Sequence, residues 1–291
     1  ERQDERMQAV AIATQLDYYY FQGTNEDSVI HYTNKVKEFA KATHQPKYYY
    51  FAWANRLITY YLKTSRTNIA LYEVQNMLKE AQEEDDKTGL SRCYNIMSQI
   101  YTIKRFDSMA FEWRLKEIEL TEKYKIENYN ISQTYAQIAN YYINQKKQKE
   151  ALAAVEKAIA TANSSTQQIS AKLEFVNYYS KFGDFQAAEK LLKECQAAFE
   201  QDKRLESIKK RLYNIECLYY QQTKQYQKAL EAAKMQEKEE RRLSESILSS
   251  IHYRTQGEIY QKMGNMNLAV KYLQMYINTD DSLKIANEQV A

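Results

Sequence analysis

Proline is nearly missing from this chain, at 1 in 291 residues, and glycine is scarce at 5. These residues end helices and shape the tight turns between strands, so their scarcity excludes sheet-rich folds and leaves long stretches free to be helical. Cys93, Cys195 and Cys217 have neither metal-ligand spacing nor the density of a disulfide scaffold. They read as small core residues and leave the redox compartment open, although Cys195 and Cys217 are expected to be neighbours on successive helices. No apolar run approaches the length of a bilayer span, and no leader pattern stands at Glu1. The chain opens without Met and closes at Ala291 inside a helical pattern, so it is expected to be cut from a longer protein, one open to membrane anchoring.

An excess of one charge sign is also lacking: 41 Lys and Arg face 38 Asp and Glu, interspersed. Without a basic stripe to neutralise phosphates, nucleic acid is not an expected partner. The runs Glu83 to Asp86 and Glu237 to Arg242 read as solvated faces or turns. The glycines at 23, 89, 183, 257 and 264 are isolated, so there is no phosphate-cradling loop. His31, His44 and His252 are scattered, with no Cys or carboxylate at ligand spacing. No cofactor, metal or catalytic residue is expected, and the chain reads as a non-enzyme.

What is abundant is tyrosine, 27 in all, a side chain whose apolar body and polar tip suit seams between amphipathic helices. Tyrosines at 20, 61, 101, 142, 179, 220 and 260 recur every 37 to 41 residues. Nine residues after each stands a small aliphatic residue: Val29, Ala70, Ala110, Ala151, Ala188, Ala229 and Ala269. Four before it stand Leu16, Leu57, Met97, Ile138 and Phe175, a pattern that Glu216 and Gln256 break. The apolar positions around each tyrosine fall on one face of a helix, and those at plus nine, plus thirteen and plus sixteen fall on one face of a second. Each unit is thus a helical hairpin, and the array divides near 5–45, 46–86, 87–127, 128–163, 164–204, 205–245 and 246–280, with a terminal helix starting in 281–291.

The Gly-Asp-Phe-Gln-Ala-Ala-Glu-Lys turn at 183–190, the tyrosine near the end of each first helix, and Gly257 three residues before Tyr260 resemble tetratricopeptide repeats over nearly the whole chain. The units exceed the usual 34 residues, the signature Gly survives only at 257, and the closing proline is missing. The resemblance implies an all-α, right-handed solenoid of about seven hairpins, whose first helices line a concave face. The segments Tyr272 to Ile277 and Asp280 to Leu283 look like the extracytoplasmic sensor region of Bacteroides-type two-component histidine kinases, with Asp281 or Ser282 placed to cap a last helix. That likeness implies a periplasmic setting.

Positions minus nine, minus six, minus two and plus one lie on the first helix away from its buried stripe. They carry Asn55, Asn95 and Asn214 at minus six, Asn140, Asn177 and Gln99 at minus two, and Arg92, Arg211 and Arg254 on the same face. An amide offers donor and acceptor together, so a ladder of them can pair with an extended peptide backbone, while the arginines can hold a carboxylate. The plainer reading is an ordinary polar surface. The expected function is non-catalytic binding of a peptide or protein segment by a sensor region; the alternative is a cytoplasmic peptide-responsive regulator or scaffold joined to a DNA-binding or other output domain. Self-association into a homo-oligomer is compatible with either.

Overall fold

The computed structural model describes residues 2–23, 25–242 and 249–288, with side chains for 5–23, 25–240 and 250–280. The described residues form helices and turns and contain no strand. Up to position 286 they group into two compact units, 2–127 and 128–286, around the non-helical 125–130.

The first unit holds three hairpins: α1 (Arg2–Gln22) with α2 (Glu26–Ala42), α3 (46–63) with α4 (Thr67–Glu83), and α5 (Lys87–Ile103) with α6 (Asp107–Tyr124). Within α3 a π-helical segment, Trp53–Ile58, separates the α-helical Pro46–Ala52 and Thr59–Lys63. The second unit holds four: α7 (Ile131–Asn144) with α8 (Gln148–Ala160), α9 (Ser165–Phe182) with α10 (Phe185–Gln201), α11 (Lys209–Gln222) with α12 (Tyr226–Arg242), and α13 (Ser249–Lys262) with α14 (Met266–Glu288). A 3₁₀ segment, Lys203–Ile208, leads into α11. Helix α14 runs unbroken through position 281, so no new helix starts there; the Asp281 and Ser282 side chains lie outside the described residues.

The repeated tyrosine has a backbone role. The carbonyls of Tyr61, Tyr101, Tyr142, Tyr179, Tyr220 and Tyr260 each accept the N–H five residues on, at 2.8–2.9 Å. That bond closes a Schellman turn, which needs a left-handed residue one position earlier. Ser65, Arg105, Lys146, Gly183, Lys224 and Gly264 occupy it, with φ from 57° to 91°. Only two of those six are glycine, so the others hold a conformation unfavourable for a side chain. Lys146→Gly is expected to raise stability by about 1 kcal/mol; urea unfolding of the two proteins measures it.

The turn fixes the plus-nine position as well. It sits one helical turn into the second helix, where Val29, Ala70, Ala110, Ala151, Ala188, Ala229 and Ala269 are 0–2 % exposed. Small side chains there let the hairpin's axes close up. Tyrosine tips finish the seams: Tyr49 and Tyr50 of α3 donate to Glu80 and Glu84 at 3.1 and 3.0 Å, and Trp53 donates to Glu73 at 2.9 Å. Burial foremost, then the adjoining carboxylates, pushes both phenols well above their ordinary range.

The thiols of Cys93, Cys195 and Cys217 are free and buried. Cys195 packs in the cluster of Leu192, Leu212 and Ile215, whereas Cys217 packs with Ala229, Ala233 and Ile259. The two belong to different seams because plus sixteen on α10 and minus three on α11 face opposite neighbours.

Candidate functional site

In the second unit the expected face is organised by a residue outside the set read from the sequence. Glu174 of α9 is 2 % exposed, and a carboxylate so placed must be compensated. Asn140 of α7 donates to it at 3.3 Å, Asn177 at 2.8 Å from one turn further along α9, and Arg211 of α11 through Nη2 at 2.8 Å. One carboxylate thus ties the first helices of three successive hairpins. Asn140 also accepts from Asn144 at 3.1 Å. Asn177 is itself buried, contrary to its expected place on an open face. Arg211 has spent its charge on Glu174, and its Nε is buried without a partner. Asn214 and Arg254 are exposed, the latter donating to Glu258 on its own helix at 2.8 Å.

In the first unit Asn95 donates to both oxygens of Glu117, at 3.3 and 3.2 Å, and accepts from exposed Gln99 at 2.7 Å. Glu117 and Arg114, 2 % and 7 % exposed, sit on the inward stripe of α6. Arg114 reaches Thr102 at 2.7 Å, and burial lowers its pKa against the opposing pull of Glu117. Arg92 donates to Asn55 at 3.2 Å.

The nine side chains therefore divide. Asn95, Asn140, Asn177 and Arg211 hold buried carboxylates, while Gln99, Asn214 and Arg254 point to solvent and Asn55 and Arg92 are half-buried. Asn140→Ala is expected to lower stability by about 1–2 kcal/mol by removing a donor from a buried carboxylate. Asn214→Ala should stay within about 0.5 kcal/mol. Chemical denaturation separates the two outcomes.

Two signals for these networks were present in the sequence. Arg114 and Glu117 stand at plus thirteen and plus sixteen, where other units carry pairs such as Val155 with Ala158 and Leu192 with Cys195. Glu216 and Gln256, which break the minus-four pattern, are met by Gln196 and Glu237 of the preceding second helices, both at 2.6 Å. Glu237 and Glu240 belong to a run expected to be solvated, yet Glu240 is 5 % exposed and pairs with buried His252. That contact joins α12 to α13 and corrects the reading of His252 as unpartnered.

Recognition by hydrogen bonds and charge is chemistry that these side chains can carry. The His252–Glu240 pair is sealed inside a seam, and burial pushes the thiols up to about 12 at Cys93 and about 11 at Cys195 and Cys217, away from the reactive thiolate. Among the described residues no three His, Cys, Asp or Glu gather to hold a metal ion, and no helix is long and apolar enough to cross a membrane.

No family model matches the chain, and no curated protein sequence does. Solved structures do match. NprR in complex with its cognate peptide NprX is 12 % identical, with a TM-score of 0.63 over 96 % of this chain and 82 % of that one. A Rap protein complexed with competence and sporulation factor is 14 % identical, with a TM-score of 0.61 over 93 % and 76 %. A tetratricopeptide repeat protein from Parabacteroides merdae ATCC 43184 is 13 % identical, with a TM-score of 0.53 over 96 % and 99 %. At such identities the likeness is one of fold, and that fold is the tetratricopeptide-like helical solenoid.

Proposed function

We propose that the chain is a non-catalytic binding module of a signalling protein, and that it holds an extended peptide or protein segment on its first-helix faces. The supporting observation is the fold it shares, over 96 % of its length, with NprR captured with its cognate peptide NprX. Exposed Gln99 and Asn214 carry the donor and acceptor pair that a peptide backbone needs, while the second helices turn their alanine stripe inward. Arginine is suited to the carboxylate of such a ligand. A regulator that passes peptide binding to an output domain is the setting we favour, because NprR was captured with its cognate peptide NprX and Rap with competence and sporulation factor. The sensor region of a two-component kinase is the second setting, supported by the resemblance at 272–283.

The test is fluorescence polarisation with a hexapeptide array against purified protein. Members that bind should bind several-fold more weakly to Gln99→Ala or Asn214→Ala, at unchanged melting temperature. Binding indifferent to both, and instead lost on substituting exposed second-helix residues such as Tyr72 and Glu150, would remove the first-helix assignment.

A further inference from the structure

In a stack of hairpins the second helix of one seats the first helix of the next, and two seams show which positions meet. Gln196, at plus seventeen on α10, donates to Glu216, at minus four on α11, at 2.6 Å. Gln256, at minus four on α13, donates to Glu237, at plus seventeen on α12, also at 2.6 Å. In the first unit the same two positions carry Leu78 of α4 and Met97 of α5, which belong to one apolar cluster. Polar thus meets polar, and apolar meets apolar. Plus ten and plus thirteen lie on the same side of the second helix as plus seventeen. On α12 they are Leu230 and Ala233, both buried.

On α14 this side is bare. Val270 at plus ten and Ile277 at plus seventeen are 66 % and 49 % exposed, and Met266, one turn before Val270, is 58 % exposed. Leu273 at plus thirteen is only half-buried, whereas its counterparts Leu192 and Ala233 are buried. The stripe from Met266 to Ile277 runs about 16 Å along the helix. It is also nearly uncharged: between Met266 and Asn278 the single charged residue is Lys271. A water-facing end of a repeat array is polar, whereas an exposed apolar stripe marks a surface that takes a partner.

The rule read from the seams states what that partner must be. With Ile277 at plus seventeen, the element that sits there is a helix bringing an apolar residue to it, and one that needs almost no opposing charge. Helix α14 of a second copy meets that description, with Met266, Val270 and Ile277 exposed along it. Two such faces meet without like-charge repulsion, and a stripe complementary to itself is what a two-fold contact requires. The apolar groove of the first unit, with Val10, Phe39 and Phe51 in its walls, is less suited to self-pairing, because Glu5, Arg6, Asp17 and Arg56 also line it. We propose that α14 is a self-association surface, where two copies of the chain pair through Met266, Val270, Leu273 and Ile277. This contact stands apart from peptide binding by the first helices.

Sedimentation equilibrium of the purified chain should show a reversible equilibrium between monomer and dimer. Val270→Glu and Ile277→Glu should each raise the dissociation constant by about thirtyfold or more, as central interface residues do. Val10→Glu and Tyr72→Glu, at exposed sites on other helices, should leave it unchanged. Circular dichroism of each variant establishes that it is folded. Val270 lies near the middle of the stripe, so a two-fold axis there brings its two copies close together. Val270→Glu mixed with Val270→Lys should therefore associate several-fold more tightly than either variant alone. A chain that stays monomeric at every concentration overturns the proposal. So does a dimer indifferent to Ile277→Glu, or a Val270 pair without mutual rescue. A dimer dissociated by Val10→Glu alone would assign self-association to the groove of the first unit and overturn the α14 contact.

Discussion

Glu174→Ala is expected to lower the stability of the second unit by about 3–5 kcal/mol, because it leaves the half-buried Arg211 guanidinium without its counter-charge. It also strips acceptors from Asn140 and Asn177. The cause is separable from simple loss of volume. Glu174→Leu combined with Arg211→Leu removes both charges and should recover much of the loss, since an apolar pair of similar size is often no worse than a buried ion pair. Urea unfolding followed by circular dichroism gives the size of the effect, and amide exchange gives its location. Protection should fall in α7, α9 and α11 and be retained in α1 to α6, because repeat arrays transmit stability between neighbours. A loss below about 1 kcal/mol would mean that Glu174 is solvated in solution.

Gly257→Val is expected to cost about 3 kcal/mol, at the upper end for overpacking. A Cβ at Gly257 would lie 2.8 Å from Leu273 Cγ and 3.3 Å from the Leu273 backbone nitrogen, so α13 and α14 touch there with no room for a methyl group. Gly257→Ala should cost less, because alanine's better helix propensity returns about 1 kcal/mol. Gly183 gives the contrasting case. A Cβ there meets nothing within 4 Å, but its φ of 91° is left-handed, so Gly183→Ala strains the backbone alone. Thermal melts of the three variants, with Gly257→Val lowest, check the order.

The hairpins were legible because their signal is local and repeated. One Schellman turn fixes both the tyrosine carbonyl and the small residue nine positions on, so a single tyrosine-to-alanine spacing encodes the turn and the close approach of the helices. The charged networks were legible only in part. Arg114, Glu117, Glu216 and Gln256 stand out when units are aligned, as polar residues in apolar columns. Their partners do not, since Gln196 and Glu237 sit on preceding helices at positions where polarity is unremarkable. Glu174 falls beside the buried stripe, where a long side chain can point either way, and only the neighbouring Asn140 and Arg211 decide it. The groove of the first unit was hidden because Val10, Phe39 and Phe51 come from three helices with no shared period.

Amide exchange of the chain with and without a bound hexapeptide locates peptide recognition among the helices. Added protection should appear in α3 and α5, or in α11 and α13, where Asn55, Arg92, Gln99, Asn214 and Arg254 lie, with the second helices unchanged. Protection gained on α4, α8 or α12, with none on the first helices, would contradict recognition by the first helices.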